Sequence, residues 1–494
     1  MKNLLYIISL CGLLTACDLQ EEPYGFYSDD NFYKSETDAE SGLLYAYNAL
    51  TFLEYSRGIF YIGDIPTETM SPKSDEAGDV YQLENWIANR ETEQLQYYFK
   101  YCYIAINRAN TVIDHIQNSS VLSETARRRI LGEAYFLRAW NYFNLVRTFG
   151  IVPVQTKMVA ELSQTTPPMA TGLDQLYDLI LGDLARADNL LEVNKVFGRA
   201  DKVAAQSLMA KAYLTIASSK EHNVHRYTEM RREPRIMYDS AAYWAGKVVR
   251  DYKNVYDFDT NLRDIYDVDK PTGPEHIFIM PIDRSGTQEG NYSKLPLLFL
   301  PSNNSVPFYI RYGNGDLQRA NGNGWGVFLC NDEFVETQFS TTDKRRTELI
   351  HRDIYDASGN PIVPNQVKGY FSSKYVDPNF IGERTSARPY LIRFSDIALV
   401  YAEAAGPEAG LAYVNRIRER AGVTPLPSGM TTDKFREAVI KERALELAFE
   451  GNRLYDLRRT ASVTTTDIKA AGLSEAEAAY YPIPQREIDL NPNL

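Results

Sequence analysis

Charged residues with the spacing of possible catalytic groups lie close together near the carboxyl end of the chain: Glu442, Arg443, Glu446, Glu450, Arg453 and Asp456. Two carboxyl groups about 5 to 10 Å apart can act as acid and base in glycoside hydrolysis. In this cluster, however, Arg443 and Glu446 are three residues apart, as are Glu450 and Arg453, and on a helix this spacing forms ion pairs. We therefore predict that the cluster stabilises the fold and performs no chemical step.

No recognised catalytic motif accompanies these acids. The sequence has no Gly-x-Ser-x-Gly turn, no Gly-x-x-x-x-Gly-Lys loop and no His-Glu-x-x-His pair. We predict a protein that is not an enzyme and needs no cofactor or catalytic metal, although the many acids leave glycosidase activity open as an alternative. Six aspartates between Asp251 and Asp269 offer oxygen ligands for a structural calcium ion, but their spacing matches no known calcium loop.

The amino end carries a short apolar stretch that ends at a cysteine. Lys2 is followed by apolar residues up to about Leu14, and small residues precede Cys17. The stretch is shorter than the roughly 20 residues that span a bilayer, and its order is typical of a secretory signal. It resembles a bacterial lipoprotein signal, which implies removal of residues 1–16 and a lipid on Cys17. An ordinary secretory signal with a chance cysteine is the alternative.

The charge of the chain argues against nucleic acid as a partner. The net charge is −12, and it becomes −13 once Lys2 leaves with the predicted leader. Proteins that bind polyanions show basic patches. The clusters at 127–129 and 231–232 are short and have acids nearby, so we predict that they are solvated helix faces.

Apolar residues recur with helical periodicity along most of the chain. Thr37 and Glu40 have the spacing of a capping box, which predicts that a helix begins there. Long helical patterns follow over about 91–117 and 123–149. Shorter apolar stripes occupy 173–191, 204–216, 241–248, 394–404 and 411–421. The alanines in these stripes allow close helix packing, so we predict a mainly α fold with a scaffold of tetratricopeptide-like helical hairpins.

The stretch 253–389 differs from the rest in being rich in Gly, Asn, Pro and aromatic residues, with only short strand-like runs. So much irregular chain in a compact protein usually has a function. We predict an irregular, loop-rich lobe containing short strands at 253–389. Helical scaffold would then occupy 17–252 before it and 390–494 after it.

Several stretches together resemble the SusD family, also called RagB/SusD, the surface lipoproteins with which Bacteroidetes take up nutrients. They are 131–139 with 149–153, 389–404 with 414–418, charged positions within 442–459, and 481–492. The resemblance covers essentially the whole mature chain and is weakest in the lobe.

This resemblance implies a partner and a location. Family members sit over a SusC-type TonB-dependent transporter of the outer membrane and pass it a ligand, most often an oligosaccharide. The acids Asp18, Glu21 and Glu22 resemble the surface-export signals of these bacteria, which implies the extracellular face. A peptide or glycopeptide receptor on the same scaffold is the first alternative, and a purely structural surface subunit is another.

Sugar binding requires aromatic faces surrounded by hydrogen-bonding groups. Family members draw ligand contacts from one early loop and from the variable lobe, so we assign candidates by region. In the early region they are Asp64, Asp75, Tyr81 and Trp86. In the lobe they are Tyr309, Arg311, Tyr312, Asn323 and Trp325.

Overall fold

The computed structural model describes residues 32–74, 76, 78–288, 290–363 and 369–494. The predicted leader, Cys17 and the candidate Asp75 lie outside the described residues. Within these ranges, no helix has both the length and the apolar character needed to cross a membrane.

Helices make up most of the first half of the described chain. They are α1 (Glu36–Thr51), α2 (Leu53–Gly63), α3 (Asp79–Glu84), α4 (Glu93–Ile116), α5 (Glu124–Phe149), α6 (Leu173–Leu190), α7 (Lys202–Glu221) and α8 (Pro234–Asp251), with 3₁₀ turns at Leu162–Thr165 and Tyr227–Glu229. From α4 to α8, each helix packs against the next one along the chain. This succession is that of stacked helical hairpins, so the predicted mainly α scaffold is confirmed.

The second half adds shorter helices and completes the scaffold. They are α9 (Leu262–Ile265), α10 (Leu295–Phe299), α11 (Asp332–Gln338), α12 (Lys344–Leu349), α13 (Phe394–Ala405), α14 (Pro407–Arg420), α15 (Thr432–Glu446), α16 (Arg453–Arg459), α17 (Val463–Thr466), α18 (Glu475–Ala479) and α19 (Gln485–Leu490), with a 3₁₀ turn at Ile468–Ala470. Helix α13 packs on α8, α14 and α15. The carboxyl-terminal part of the chain thus continues the stack.

The first helix begins at a different residue from the one predicted. Ser35 is the N-cap: its hydroxyl accepts from the Asp38 amide at 3.2 Å, and the Asp38 carboxylate accepts from the Ser35 amide at 2.9 Å. Thr37 therefore lies inside the helix, and the predicted pairing of Thr37 with Glu40 is wrong. The Glu40 carboxylate instead forms an ion pair with Arg129 at 2.6 Å.

The strands are short and pair antiparallel. They are β1 (Met70–Pro72), β2 (His276–Ile279), β3 (Phe308–Arg311), β4 (Leu317–Ala320), β5 (Phe328–Cys330), β6 (Ile350–His351), β7 (Ile354–Tyr355), β8 (Pro361–Ile362), β9 (Phe371–Ser372) and β10 (Tyr390–Arg393). One four-stranded sheet has the order β4-β3-β7-β8, and the pairs β1 with β5, β2 with β10 and β6 with β9 are separate. Among the described strands, β2 to β9 fall within 253–389.

Strand β2 belongs to the core of the scaffold although it lies in the stretch read as the lobe. Its Phe278 ring packs edge-on against Phe136 and Trp140 of α5, with centroid distances of 4.9 and 5.6 Å. Helix α5 is buried around most of its circumference because it packs against both α4 and α6. Strand β2 is therefore part of the scaffold core, whereas the four-stranded sheet packs on a separate, smaller cluster around Phe308 and Ile310.

The charged residues near the carboxyl end are buried, except for the half-buried Arg453, but their partners are not those predicted. Arg443 bonds the carboxylates of Asp396 at 2.8 Å and Asp456 at 2.9 Å rather than the glutamate three positions on. Helix α15 ends before Glu450 and α16 begins at Arg453, so these two residues do not share a helix. The predicted i,i+3 pairs are wrong: Arg443 pairs with Asp396 and Asp456 instead of Glu446, and the chain turns between Glu450 and Arg453.

Arg393 lies at the centre of this buried network. Its guanidinium bonds Glu275 at 2.9 Å and both Glu446 and Glu450 at 2.8 Å. Burial acts to raise the pKa of Glu446, but Arg420 and Arg393 outweigh it and hold that pKa below its ordinary value. Every carboxylate here has a cationic partner, which is the condition for tolerating buried charge.

Candidate functional site

The early segment 70–84 meets the loop-rich part of the chain at a two-stranded ladder. Strand β1 pairs with β5, and one residue further on the Lys73 amide donates to the Val327 carbonyl at 3.3 Å. Val327 is two residues from Trp325, and Lys73 leads toward α3, which carries Tyr81. The tertiary fold thus brings the early segment that carries Tyr81 next to the loop that carries Trp325.

An open cleft of about 760 Å³ lies along this ladder, and we call it the first cleft. Its volume is in the range of small-molecule sites, about 300 to 1,000 Å³. Most of the side chains that face it are polar or aromatic, and they include Lys73, Glu76, Tyr81, Glu84, Asn331 and Asp332. The first cleft therefore offers both hydrogen-bond donors and hydrogen-bond acceptors, and its charged side chains include acids and a cation.

Asn331 fixes the lobe side of the first cleft. Its side-chain oxygen caps α11 by accepting from the Phe334 amide at 3.0 Å, and its amide group donates to the Ser71 hydroxyl at 3.1 Å. The backbone amide of Asn331 donates to the Thr69 carbonyl at 3.0 Å. Sequence reasoning missed this residue, although Asn followed by Asp and Glu is a recognisable helix start.

Tyr81 and Trp325 are the two candidates that remain exposed aromatics at this junction. The Tyr81 side chain is 52% exposed in the wall of the first cleft. Trp325 is 37% exposed beside the end of the ladder, outside the cleft lining itself. Its loop is held by a bond from the Trp325 amide to the Leu297 carbonyl. A Cβ at Gly324 would lie 2.0 Å from the Leu300 carbonyl oxygen, so only glycine fits there.

The assignment of Asp64 to ligand binding is corrected by its burial. Asp64 is fully buried, and its carboxylate accepts from the Gly451 amide at 2.6 Å. Burial raises the pKa of Asp64 to about 7, against the backbone donors of Gly451 and Arg453. Asp64 thus joins the end of α2 to the turn before α16 and positions the early segment without reaching a ligand.

Trp86 is also buried, so its ring is not available to a ligand. It is 8% exposed, and its indole N–H donates to the Asp467 carboxylate at 3.1 Å. The ring stacks on Tyr481 with a centroid distance of 6.2 Å. The prediction that Trp86 faces a sugar is therefore corrected: the indole anchors the early segment to the carboxyl-terminal part of the scaffold.

The candidates Tyr309, Arg311 and Tyr312 lie along β3 and the residue after it, where alternate side chains point to opposite faces of the sheet. Tyr309 and Arg311 lie on the outer face of the four-stranded sheet, where Arg311 stacks over Tyr355 at 4.2 Å from the ring centroid. Tyr312 points inward and is buried beneath Arg263 at 4.6 Å. Burial raises the pKa of Tyr312 to about 12, and its assignment as a ligand residue is corrected.

None of these three side chains lines the first cleft, so β3 forms a separate surface. The remaining lobe candidate, Asn323, is half-buried and its backbone amide donates to the Asn321 side chain at 3.0 Å. The described residues contain no group of three or more His, Cys, Asp or Glu side chains arranged to hold a metal ion. The proposed calcium ion therefore stays a prediction.

Two family models match the chain and between them cover most of it. Residues 33–214 match the model described as "Starch-binding associating with outer membrane", and residues 353–494 match the model described as "SusD family". The chain belongs to the SusD family.

Similar proteins match this chain along nearly their whole length. "SusD-like protein P2" of Formosa agariphila is 24% identical, over 92% of this chain and 89% of that protein. A solved "Laminarin binding SusD-like protein" superposes with a TM-score of 0.75 at 23% identity, covering 93% of this chain and 98% of that one. Surface glycan-binding protein A from Bacteroides thetaiotaomicron, solved with laminarihexaose, gives 0.72 at 20%, covering 92% and 97%.

Proposed function

We propose that the protein binds an oligosaccharide at the junction of the first cleft and Trp325, and passes it to a SusC-type TonB-dependent transporter. The ladder from β1 to β5 is the observation that carries this proposal, because it runs along a polar cleft that Tyr81 lines and, at Val327, ends two residues from the exposed Trp325. Sugar rings pack their C–H faces on aromatic rings while their hydroxyl groups bond to polar side chains.

Relatives of the same fold support the choice of ligand class. The similar structures include a laminarin-binding protein and a glycan-binding protein solved with laminarihexaose. The first-cleft side chains include both acids and a cation, as the Lys73 and Glu76 pair at 3.6 Å illustrates. Acids outnumber cations in this lining, so a ligand with many neutral hydroxyl groups suits it better than an anionic one.

We further propose that binding takes place without turnover and at the cell surface. A lipid on Cys17 would hold the mature chain on the outer membrane, since two or more acyl chains anchor a protein stably. Changing Cys17→Ala should release the protein from the outer-membrane fraction and abolish fatty-acid labelling. A variant that still labels and fractionates with that membrane would contradict the anchor.

A glycan array probed with residues 18–494 tests the ligand class. We expect binding of at least one oligosaccharide and no release of shorter products from it. Binding of peptides alone would favour a peptide receptor, and product release would favour a glycosidase.

Tyr81→Ala tests the location of the site on whichever glycan binds. We expect calorimetry to show about tenfold weaker affinity, corresponding to roughly 1.4 kcal/mol. The matched control is Tyr243→Ala, which removes a tyrosine of similar exposure, 55% against 52%, from α8 of the scaffold. Equal affinities in the two variants would place the site elsewhere.

A further inference from the structure

A second cleft of about 740 Å³ adjoins the first. The two share four wall residues: Ser71, Glu84, Asn331 and Glu333. A ligand bound in the first cleft could therefore extend into the second cleft, which has a similar volume.

The walls of the second cleft come mainly from the early segment 65–84 and from three further parts of the chain that are distant in sequence. Helix α11 contributes Phe334 and Thr337, α15 contributes Ile440 and Lys441, and the segment 460–469 contributes Ile468. Apolar side chains such as Phe334 and Ile440 are combined with hydroxyl and charged groups. This is the mixture that a sugar with apolar faces and polar edges can use.

In the segment 460–469, which lines the second cleft, the residues on both sides of the exposed Ile468 are held by bonds to other parts of the chain. Asp467 accepts from the buried Trp86 indole at 3.1 Å, and the Lys469 ammonium bonds Glu84 at 2.6 Å. Ile468 lies between them and is 87% exposed. Its position is therefore set by its two neighbours, while its own side chain is left open to the cleft.

The second cleft is lined by charges of both signs, five acids and three cations, and several of them are paired. Glu68 and Arg453 pair with each other at 2.5 Å, as do Glu84 and Lys469 at 2.6 Å. Lys441 is accompanied by Glu437 on the same helix. An ionic ligand would meet repulsion from part of this lining, whereas a neutral, hydroxyl-rich ligand would not.

We propose that the second cleft is a further subsite that binds additional sugar units of the same oligosaccharide chain. This inference rests on the proposed function, because it assigns the length of ligand that the protein selects. The protein then binds long chains across both clefts and short chains in the first cleft alone.

The test compares short and long oligomers of a glycan that the array shows to bind residues 18–494. We expect the parent to bind the long oligomer at least tenfold more tightly. Thr337→Trp, which fills the second cleft from an exposed helical position, and Ile468→Ala should both remove that advantage and leave the short oligomer unaffected. Leu162→Ala is the matched control, with 86% exposure against 87% for Ile468, on a separate 3₁₀ turn.

The possible outcomes show whether the second subsite alone is wrong or the proposed function as well. Affinity that does not grow with oligomer length, or that keeps its dependence in both folded variants, overturns the second subsite alone. Loss of affinity for short and long oligomers in equal measure also overturns it. Absence of glycan binding by the parent overturns the proposed function together with this inference.

Discussion

The buried network around Arg393 and the first cleft are built from similar residue types and differ in their surroundings. In the network, each of Glu275, Glu446 and Glu450 has an arginine partner within 2.9 Å, and water is excluded. In the first cleft, Glu76 and Asp332 face solvent and their ion pairs are longer, at 3.6 and 3.7 Å. Side chains that are already satisfied by protein stabilise the fold, while open ones can exchange water for a ligand.

Trp86 and Trp325 show the same difference between a buried and an open side chain within one residue type. Trp86 has its N–H bonded and its ring stacked inside the protein, whereas Trp325 presents part of its ring to solvent. Substitutions in the two regions should therefore separate stability from binding.

Arg393→Ala should have the largest effect on stability. It leaves three buried carboxylates without their shared partner, and breaking a buried ion pair costs about 3 to 5 kcal/mol. Chemical unfolding of residues 18–494 measures the loss. Arg352→Ala is the control, because its pairs with Asp332 and Glu336 are exposed and such pairs contribute little. Similar stability in both variants would remove the distinction between the regions.

Trp86→Ala should also destabilise the fold, by about 3 kcal/mol, because a large buried ring is lost. Trp86→Phe retains a ring against Tyr481 and loses the bond to Asp467, so its effect should be smaller. Thermal melting ranks the three proteins. A Trp86→Ala protein that melts like the parent and loses only glycan affinity would restore the direct role in binding that the structure argues against.

Asp64→Asn should change the pH dependence of stability. In the unfolded chain this carboxyl ionises near its ordinary pKa of about 4, and in the folded chain near 7. Between these values the folded protein holds one more proton, so the stability of the parent falls as the pH rises. The melting temperature of the variant minus that of the parent should therefore increase from about pH 4 to 7 and then level off. A difference that stays constant, or shrinks, would contradict the buried, proton-holding state of Asp64.

Trp325→Ala should have the smallest effect on stability and still weaken glycan binding about tenfold, or roughly 1.4 kcal/mol. The indole is partly exposed, so melting should change little. Calorimetry with a glycan that binds the parent gives the affinity. Unchanged affinity would remove Trp325 from the site, and a large fall in melting temperature would show that it anchors its loop.

The helical scaffold could be predicted because its signals are local. Apolar periodicity and the end at Gly150 gave α5 its bounds to within one residue, and Ser123 caps it through a 3.3 Å bond from the Ala126 amide. The start of α1 was placed wrongly because Ser35 with Asp38 satisfies the same capping chemistry as the spacing read from Thr37. Local patterns locate a helix more reliably than they identify its cap.

The site could be predicted only by region. Aromatic and acidic residues in the early segment indicated a binding surface, yet Asp64 and Trp86 are buried and Tyr81 is exposed. Arg311 at the end of β3 points outward and the next residue, Tyr312, points inward, and no property of these residues taken singly shows which one meets the core.

The sequence by itself determined that the chain is mainly α, that its charge disfavours nucleic acid, and that its motifs resemble the SusD family. These properties depend on composition and on contacts within a few residues. Only the tertiary structure decided which polar groups remain open, because that depends on contacts across hundreds of positions. The bonds from Trp86 to Asp467 and from Gly451 to Asp64 are such contacts. They bury two predicted ligand residues, and the first of them fixes Asp467 in the wall of the second cleft.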